Sequence, residues 1–128
     1  MSDQAGSTIL VVEDDETIRE SIVELMMEEG FAVAAAENGS AGIAYLRNAG
    51  RLPDLILVDL MMPIMDGFEF CTVKSQDPHW AGIPTVVMSA DGHVVEKKLQ
   101  TGASDYIKKP LDIDDLIARV VQFLPAAS

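Results

Sequence analysis

Short apolar runs alternate along this chain with longer stretches whose apolar residues recur at helical spacing. The short runs are rich in Val, Ile and Leu, as buried strands are, and the longer stretches have the three-to-four-residue spacing of amphipathic helices. Five strands are predicted, over residues 8–12, 31–36, 54–58, 85–88 and 104–107. Five helices are predicted between and after them, over residues 16–29, 40–48, 68–74, 94–100 and 112–124.

The alternation of strands and helices predicts an α/β fold. Strands that alternate with helices form a parallel sheet, and a sheet whose strands are almost entirely apolar is covered on both faces. Right-handed crossovers then give a doubly wound (βα)5 three-layer sandwich. We expect a five-stranded parallel sheet with the flavodoxin-like order 2-1-3-4-5. Asp15 and Asp112 are the expected N-caps of the first and last helices, and Gly30 is the expected end of the first helix.

Length and composition indicate one globular domain. The 128 residues suffice for one core, which we expect to span 8–124 with flexible ends at 1–7 and 125–128.

The composition also bounds where the protein acts and what it binds. No apolar run approaches the length of a membrane span and the first residues lack a signal-peptide pattern, so we expect a cytoplasmic protein without membrane contact. A formal charge of −12 argues against direct nucleic-acid binding. Cys71, the only cysteine, excludes an internal disulfide and is interpreted as a small helix residue.

Polar residues stand where four of the predicted strands stop. Glu13 and Asp14 follow the first strand, Asp59 the third, Ser89 the fourth and Lys109 the fifth. The carboxyl ends of parallel strands share one edge of the sheet, and ligands bind in the crevice outside that edge. The sequence therefore predicts that these side chains meet in one site.

The residue types at this edge favour metal-assisted phosphoryl chemistry. Two carboxylates about 4 Å apart repel by roughly 4 kcal/mol at an effective dielectric constant of about 20, so Glu13, Asp14 and Asp59 together require a cation. Oxygen ligands without Cys or His select Mg²⁺, or Mn²⁺ in its place. Asp59 can attack phosphorus, while Lys109 and Ser89 can bind the phosphoryl oxygens. Each residue alone would more often be a cap, a turn former or a surface residue, and their joint placement favours the functional interpretation.

Four stretches carry a resemblance to a known family. ILVVEDDETIRE, PDLILVDLMMPIMDG, IPTVVMSA and TGASDYIKKP resemble, in this order, the receiver domains of two-component response regulators, in particular single-domain regulators of the chemotaxis type. The resemblance covers about residues 8–124. It implies that Glu13 and Asp14 are the acidic pair that binds the metal and that Asp59 is the phosphorylated aspartate.

Further roles follow from the same resemblance. It implies that the backbone carbonyl of Met61 completes the metal shell and that Gly67 is the turn glycine after the acceptor. Ser89 and Tyr106 would be the switch residues, and Lys109 the site lysine. The spacing from Ser89 to Tyr106 is about two residues shorter than the family pattern, so a shortened or irregular helix is expected within 91–100.

The resemblance also implies a mechanism and partners. A histidine kinase or a histidine phosphotransfer protein supplies a phosphoryl group, which the domain transfers to Asp59 with Mg²⁺. Ser89 and Tyr106 then move, and the surface of the fourth helix, fifth strand and fifth helix changes and regulates a downstream target protein. The chain would be a signalling protein that catalyses its own phosphorylation and dephosphorylation, not an enzyme in the usual sense. We expect a monomer or a weak phosphorylation-dependent dimer, and no direct contact with nucleic acid.

Three alternatives remain beside this interpretation. A phosphatase of the haloacid dehalogenase type needs a second Asp two residues after the first, where Met61 stands. A flavin-binding module needs a phosphate loop after the first strand, where the acidic run 13–16 stands. A degenerate receiver that only binds proteins is disfavoured because all five site residues are present.

Three charged residues near the predicted fifth strand and fifth helix have two interpretations. Asp105, Asp115 and Arg119 could pair across a dimer, although solvated surface charge is the favoured interpretation.

Overall fold

The computed structural model describes residues 7–90, 96 and 100–124. Five strands form one parallel sheet in the order β2-β1-β3-β4-β5, which confirms the predicted topology. The strands are β1 (Thr8–Val12), β2 (Ala32–Ala36), β3 (Leu55–Asp59), β4 (Thr85–Ser89) and β5 (Asp105–Lys108). Within the described ranges the helices are α1 (Glu16–Glu28), α2 (Gly39–Asn48), α3 (Gly67–Gln76) and α4 (Ile113–Phe123). Most of the helix predicted over 94–100 lies outside the described residues.

Side chains fix where the helices begin. Asp15 accepts a hydrogen bond from the backbone of Ile18 at 2.9 Å, and Asp112 caps α4 in the same way, as predicted. Asp66 begins α3 through a capping box with Glu69, which the sequence analysis did not single out. The chain leaves α1 at Gly30, whose φ of 97° lies in the left-handed region that glycine accepts without strain.

The strands β3, β4 and β5 each end one residue later than predicted, and at β3 and β4 this changes how the site is held. β3 ends at Asp59 and β4 ends at Ser89, because Asp59 pairs with Met88 and Ser89 pairs with Lys108 across the ladder. Asp59 and Ser89 are therefore the last residues of their strands, where the prediction placed them in the following loops. α3 likewise begins at Gly67 and ends at Gln76, and so is longer at both ends than the predicted helix.

Alternate residues of the central strands face two separate apolar cores. One core lies between the sheet and the helices α2 and α3, and includes Leu10, Val12, Ile56, Val58 and Phe70. The other lies between the sheet and the helices α1 and α4, and includes Ile9, Val11, Leu57, Met26 and Val120. A sheet buried on both faces by helices is the predicted three-layer sandwich.

Cys71 lies in a helix, which agrees with its interpretation as a small helix residue. Cys71 is buried on α3, and burial raises the pKa of its thiol to about 11. None of the helices in the described part of the chain is both long enough and apolar enough to cross a bilayer.

Candidate functional site

The sheet ladder carries the predicted polar residues to one edge. Glu13 directly follows β1, and its backbone N–H donates to the carbonyl of Ala36 at the end of β2. Lys109 directly follows β5, and its backbone N–H donates to the carbonyl of Ser89 at 2.8 Å. Because strand hydrogen bonds hold the backbone at these positions, the site lies on the rigid part of the fold.

Three carboxylates form a cluster at this edge. Oxygens of Glu13, Asp14 and Asp59 all lie within 4.8 Å of one another, with Glu13 and Asp59 buried and Asp14 exposed. Such a cluster is repulsive when ionised unless a cation is present. The donors are all hard oxygens, which suits Mg²⁺ and not zinc. The residues therefore fit the cation that the sequence analysis predicted.

Lys109 supplies the positive charge of the cluster. Its Nζ donates to Glu13 Oε1 at 2.6 Å and lies 3.4 Å from Asp59 Oδ1. Three ionised carboxylates and one ammonium sum to a formal charge of −2, which is the charge that one divalent cation neutralises. The lysine and a cation can thus both be held in this crevice.

Burial sets the electrostatics of the two buried carboxyl groups. It raises the pKa of Glu13 to about 7, although the hydrogen bonds from Lys109 and from the backbone of Asp15 act in the opposite direction. It also raises the pKa of Asp59, against the lowering effects of Lys109 and Glu13. Burial alone would lower the pKa of Lys109, but its bonds and charges with Glu13 and Asp59 raise it. Near neutral pH, Lys109 therefore stays charged. The buried carboxyl groups of Glu13 and Asp59 readily hold a proton, which a bound cation would displace.

Gly67 brings the start of α3 against the end of β3. Its backbone N–H donates to the carbonyl of Leu60 at 3.0 Å. A Cβ at this position would lie 2.5 Å from the Asp59 carbonyl oxygen and 2.7 Å from Leu60 Cα. Since both contacts are with backbone, only glycine allows α3 to begin here without displacing Asp59.

The loop between Asp59 and Gly67 contains an unusual turn. The backbone N–H of Met65 donates to the carbonyl of Pro63 at 2.8 Å, and Ile64 between them has φ 69°. This hydrogen bond and φ define a γ-turn of the rare, strained kind. Met61 lies at the start of the loop with its side chain 68% exposed. On the opposite side of the crevice, the Lys109–Pro110 peptide bond is cis.

A family model described as the response regulator receiver domain matches residues 9–121. The chain belongs to this family. Receiver domains act as phosphorylation switches in two-component signalling, so the comparison agrees with the resemblance seen in the sequence.

Curated and solved relatives of the receiver agree with this assignment. The DNA-binding response regulator MtrA of Mycolicibacterium smegmatis is 37% identical over 120 residues, which are 92% of this chain and 50% of MtrA. The receiver domain of a signal transduction histidine kinase from Syntrophus aciditrophicus has a TM-score of 0.84 and 32% identity, with coverage of 92% and 89% of the two chains. The response regulator TrrA of Thermotoga maritima, solved in complex with Mg²⁺ and BeF, has a TM-score of 0.80 and 28% identity, with coverage of 92% and 99%. The chain spans about half the length of the curated relatives it matches.

The two predicted switch positions of the receiver are both buried. Ser89 ends β4, and Tyr106 lies in β5 among the apolar residues of the core that α2 and α3 cover. The backbone carbonyl of Tyr106 accepts a hydrogen bond from Arg119 Nη1 at 2.7 Å. The backbone of Tyr106 is therefore hydrogen-bonded directly to a side chain of α4.

The charges that the sequence analysis left open are paired within the chain. Arg119 donates to Asp105 at 2.9 Å and to Asp115 at 3.0 Å. The favoured interpretation as solvated surface charge did not include these pairs, although the side chains stay partly exposed. Asp115 lies one turn before Arg119 on α4, and the β5–α4 packing adds Asp105 and the carbonyl of Tyr106. The four-residue spacing of Asp115 and Arg119 could have revealed half of this network, but the contact with β5 has no local signal.

Proposed function

We propose that this receiver accepts a phosphoryl group on Asp59, with Mg²⁺, from a histidine kinase or a histidine phosphotransfer protein. The observation that carries the proposal is the cluster of Glu13, Asp14 and Asp59 carboxylates beside the Lys109 ammonium. The cluster combines a nucleophile, a cation site and a fixed positive charge at the strand ends where ligands bind in this fold. We take the phosphoacceptor domain to span residues 8–124.

The metal would be held by side chains of Glu13, Asp14 and Asp59 and by the backbone carbonyl of Met61. Mn²⁺ could substitute, because it accepts the same hard oxygen donors. When bound, the cation would supply positive charge against the charge that develops on the phosphoryl oxygens. Support comes from the all-oxygen donor set and from the related TrrA, which was solved with Mg²⁺ and BeF.

The residues of this chain have separate roles in the transfer. A carboxylate oxygen of Asp59 attacks phosphorus, an O–P bond forms, and the N–P bond to the donor histidine breaks with the electron pair returning to the imidazole. Lys109 and Ser89 bind equatorial oxygens of the phosphoryl group by charge and by a hydroxyl hydrogen bond. Attack of water on the same phosphorus later returns inorganic phosphate and free Asp59. The receiver thus promotes its own phosphorylation and dephosphorylation.

Phosphorylation would shift an equilibrium between two conformations of the domain. Ser89 moves toward the phosphoryl group and Tyr106 follows, which changes the surface of β5 and α4 and of the fourth helix expected from the sequence. A shift from 1:99 to 99:1 requires about 5.5 kcal/mol of differential stabilisation, which a doubly charged group bound by a cation, an ammonium and a hydroxyl can provide. A downstream target protein reads this surface, and the domain acts as a monomer or as a weak dimer after phosphorylation.

Intact-mass spectrometry after incubation with acetyl phosphate tests the proposal. We expect one phosphoryl adduct on the wild type that requires Mg²⁺ and is absent from Asp59→Asn. Asp54→Asn is the matched control, because Asp54 lies at the opposite end of β3, where it accepts a hydrogen bond from the backbone of Thr8. The control should form the same adduct as the wild type.

A second candidate function predicts a different result. A receiver that only binds proteins would remain unmodified while folded, both with acetyl phosphate and with phosphorylated histidine phosphotransfer proteins. That outcome would reject phosphorylation of Asp59 and leave the binding module as the function of this chain.

A further inference from the structure

Exposed apolar residues lie in the segments that follow Asp59 and Lys109 of the candidate phosphorylation site. Met61 is 68% exposed and Ile64 is 81% exposed, both in the loop that directly follows Asp59. Ile113 is also exposed and begins α4 on the other side of the crevice, four residues after Lys109. The remaining large exposed apolar residues of the described part, Met27 and Val121, lie near the far ends of their helices.

Ile64 has a backbone conformation that its side chain disfavours. Its φ of 69° lies in the left-handed region, where a β-branched residue is a genuine outlier and Asn or Gly fits far better. It is the central residue of the γ-turn closed by Pro63 and Met65. Because Ile64 is 81% exposed, burial in this chain does little to offset the strain. Strained residues persist where the surrounding structure holds them, and they cluster at functional sites. An exposed isoleucine at such a position beside Asp59 therefore suggests a contact with another molecule.

We propose that Ile64, together with Met61, is a specificity contact for the protein that delivers the phosphoryl group to Asp59. The inference rests on the proposed function, because it requires a protein donor. Asp59 is only 4% exposed, so a phosphohistidine on a protein reaches it only if the protein surface around that histidine covers the neighbouring loop. Acetyl phosphate is small enough to enter the crevice without covering residues 61–65.

The composition of the loop indicates the chemistry of the donor surface. Residues 61–65 read Met-Met-Pro-Ile-Met and carry no charge, whereas residues 13–16, which follow the neighbouring strand β1, are all acidic. The donor is therefore expected to present an apolar patch beside its histidine, which packs on Ile64 and Met61. Burial of exposed apolar side chains in such a contact favours association in proportion to the area covered.

Ile64→Asn tests this contact, because it removes the apolar side chain and keeps a residue suited to the turn. The probes are acetyl phosphate and the autophosphorylated catalytic cores of the source organism's histidine kinases, from which the fastest donor to the wild type is chosen. We expect the rate with acetyl phosphate to stay within about twofold, and kcat/KM with the kinase to fall by about tenfold or more. Ile64→Leu keeps an apolar side chain and should retain transfer, and Val121→Asn is the control for loss of an exposed apolar residue elsewhere.

Each other outcome has a definite meaning. Unchanged transfer from the kinase to Ile64→Asn would overturn the inference, and so would an equal loss with acetyl phosphate, since the residue would then act on the chemistry or the fold. If no histidine kinase and no phosphorylated histidine phosphotransfer protein phosphorylates a wild type that acetyl phosphate does phosphorylate, this inference fails and the chemistry of Asp59 stands. Absence of any adduct on the wild type would instead reject the proposed function. A urea midpoint of Ile64→Asn at or above that of the wild type shows that the variant is folded.

Discussion

The ammonium of Lys109 lies 2.6 Å from the buried carboxylate of Glu13, although 96 positions separate the two residues in the chain. This contact is shorter than the 3.4 Å between Lys109 and Asp59. Glu13 therefore anchors the lysine over the crevice and leaves the side toward Asp59 available for a phosphoryl oxygen. The same anchor places a positive charge next to the cation site.

Replacement of Lys109 should separate cation binding from phosphoryl transfer. In Lys109→Met the repulsion between ammonium and Mg²⁺ is lost, so we expect Mg²⁺ to bind several times more tightly by calorimetry. The rate of phosphorylation by acetyl phosphate should fall by about 100-fold, the usual effect of losing one group that stabilises a developing charge. Lys108→Met removes an exposed lysine at the end of β5 and should change neither quantity. If Lys109→Met lost Mg²⁺ affinity together with its phosphorylation rate, the lysine would be needed for both, and this prediction would be wrong.

The raised pKa of Glu13 predicts how stability depends on pH without metal. The pKa is about 7 in the folded protein and 4.5 without these interactions, so the folded state binds more protons between these values. The contribution of Glu13 to the free energy of unfolding is therefore fully present below about pH 4.5 and is lost as the pH rises through 7. Saturating Mg²⁺ should oppose this loss, because it binds the ionised carboxylates of the folded state.

Urea unfolding at several pH values measures this dependence. Glu13→Gln is the control, since it cannot titrate, and its free energy of unfolding should fall less steeply between pH 4.5 and 7 than that of the wild type. Equal slopes for the two proteins would show that Glu13 does not carry the effect.

The polar residues of the site were predictable because they stand where apolar runs of the sequence stop. The parallel topology then brings Glu13, Asp59 and Lys109 to one edge without knowledge of any contact. The sequence does not show that β3 and β4 reach Asp59 and Ser89, because strand ends depend on the register between neighbouring strands. The strained turn at Ile64 was also beyond prediction, since nothing in its residue type indicates a positive φ.

Gly67→Ala should destabilise the protein and disturb the acceptor. The new methyl group would meet the carbonyl oxygen of Asp59 and the Cα of Leu60, neither of which can rotate away. We expect a loss of about 1–3 kcal/mol in the free energy of unfolding, as for other overpacked sites, with slower phosphorylation. Gly50→Ala is the matched control, because a methyl group at this position would meet no other residue within 4 Å. Two glycine variants of equal stability would contradict this account of the α3 start.

Arg119→Lys should weaken the attachment of α4 to β5. The guanidinium donates to Asp105, Asp115 and the carbonyl of Tyr106. A lysine ammonium lacks the planar array of N–H donors that makes these three hydrogen bonds at once. We expect a loss of about 1–2 kcal/mol in urea unfolding, typical of charge-assisted hydrogen bonds between elements. Arg51→Lys changes an arginine whose side chain is 64% exposed and lies 3.7 Å from Asp54, so its effect should be under about 0.5 kcal/mol. An equally small effect at both positions would show that the Arg119 network adds little stability.

The two halves of the chain each contribute different residues to the site. The first half, through α3, carries Glu13, Asp14 and Asp59, which we propose to hold the cation, and the second half carries Ser89 and Lys109 for the phosphoryl group. The ladder between β3 and β4 joins the halves. A cut between α3 and β4 would thus part the cation ligands from the phosphoryl ligands, and recovery of phosphorylation when the two pieces are mixed would report that this ladder has re-formed.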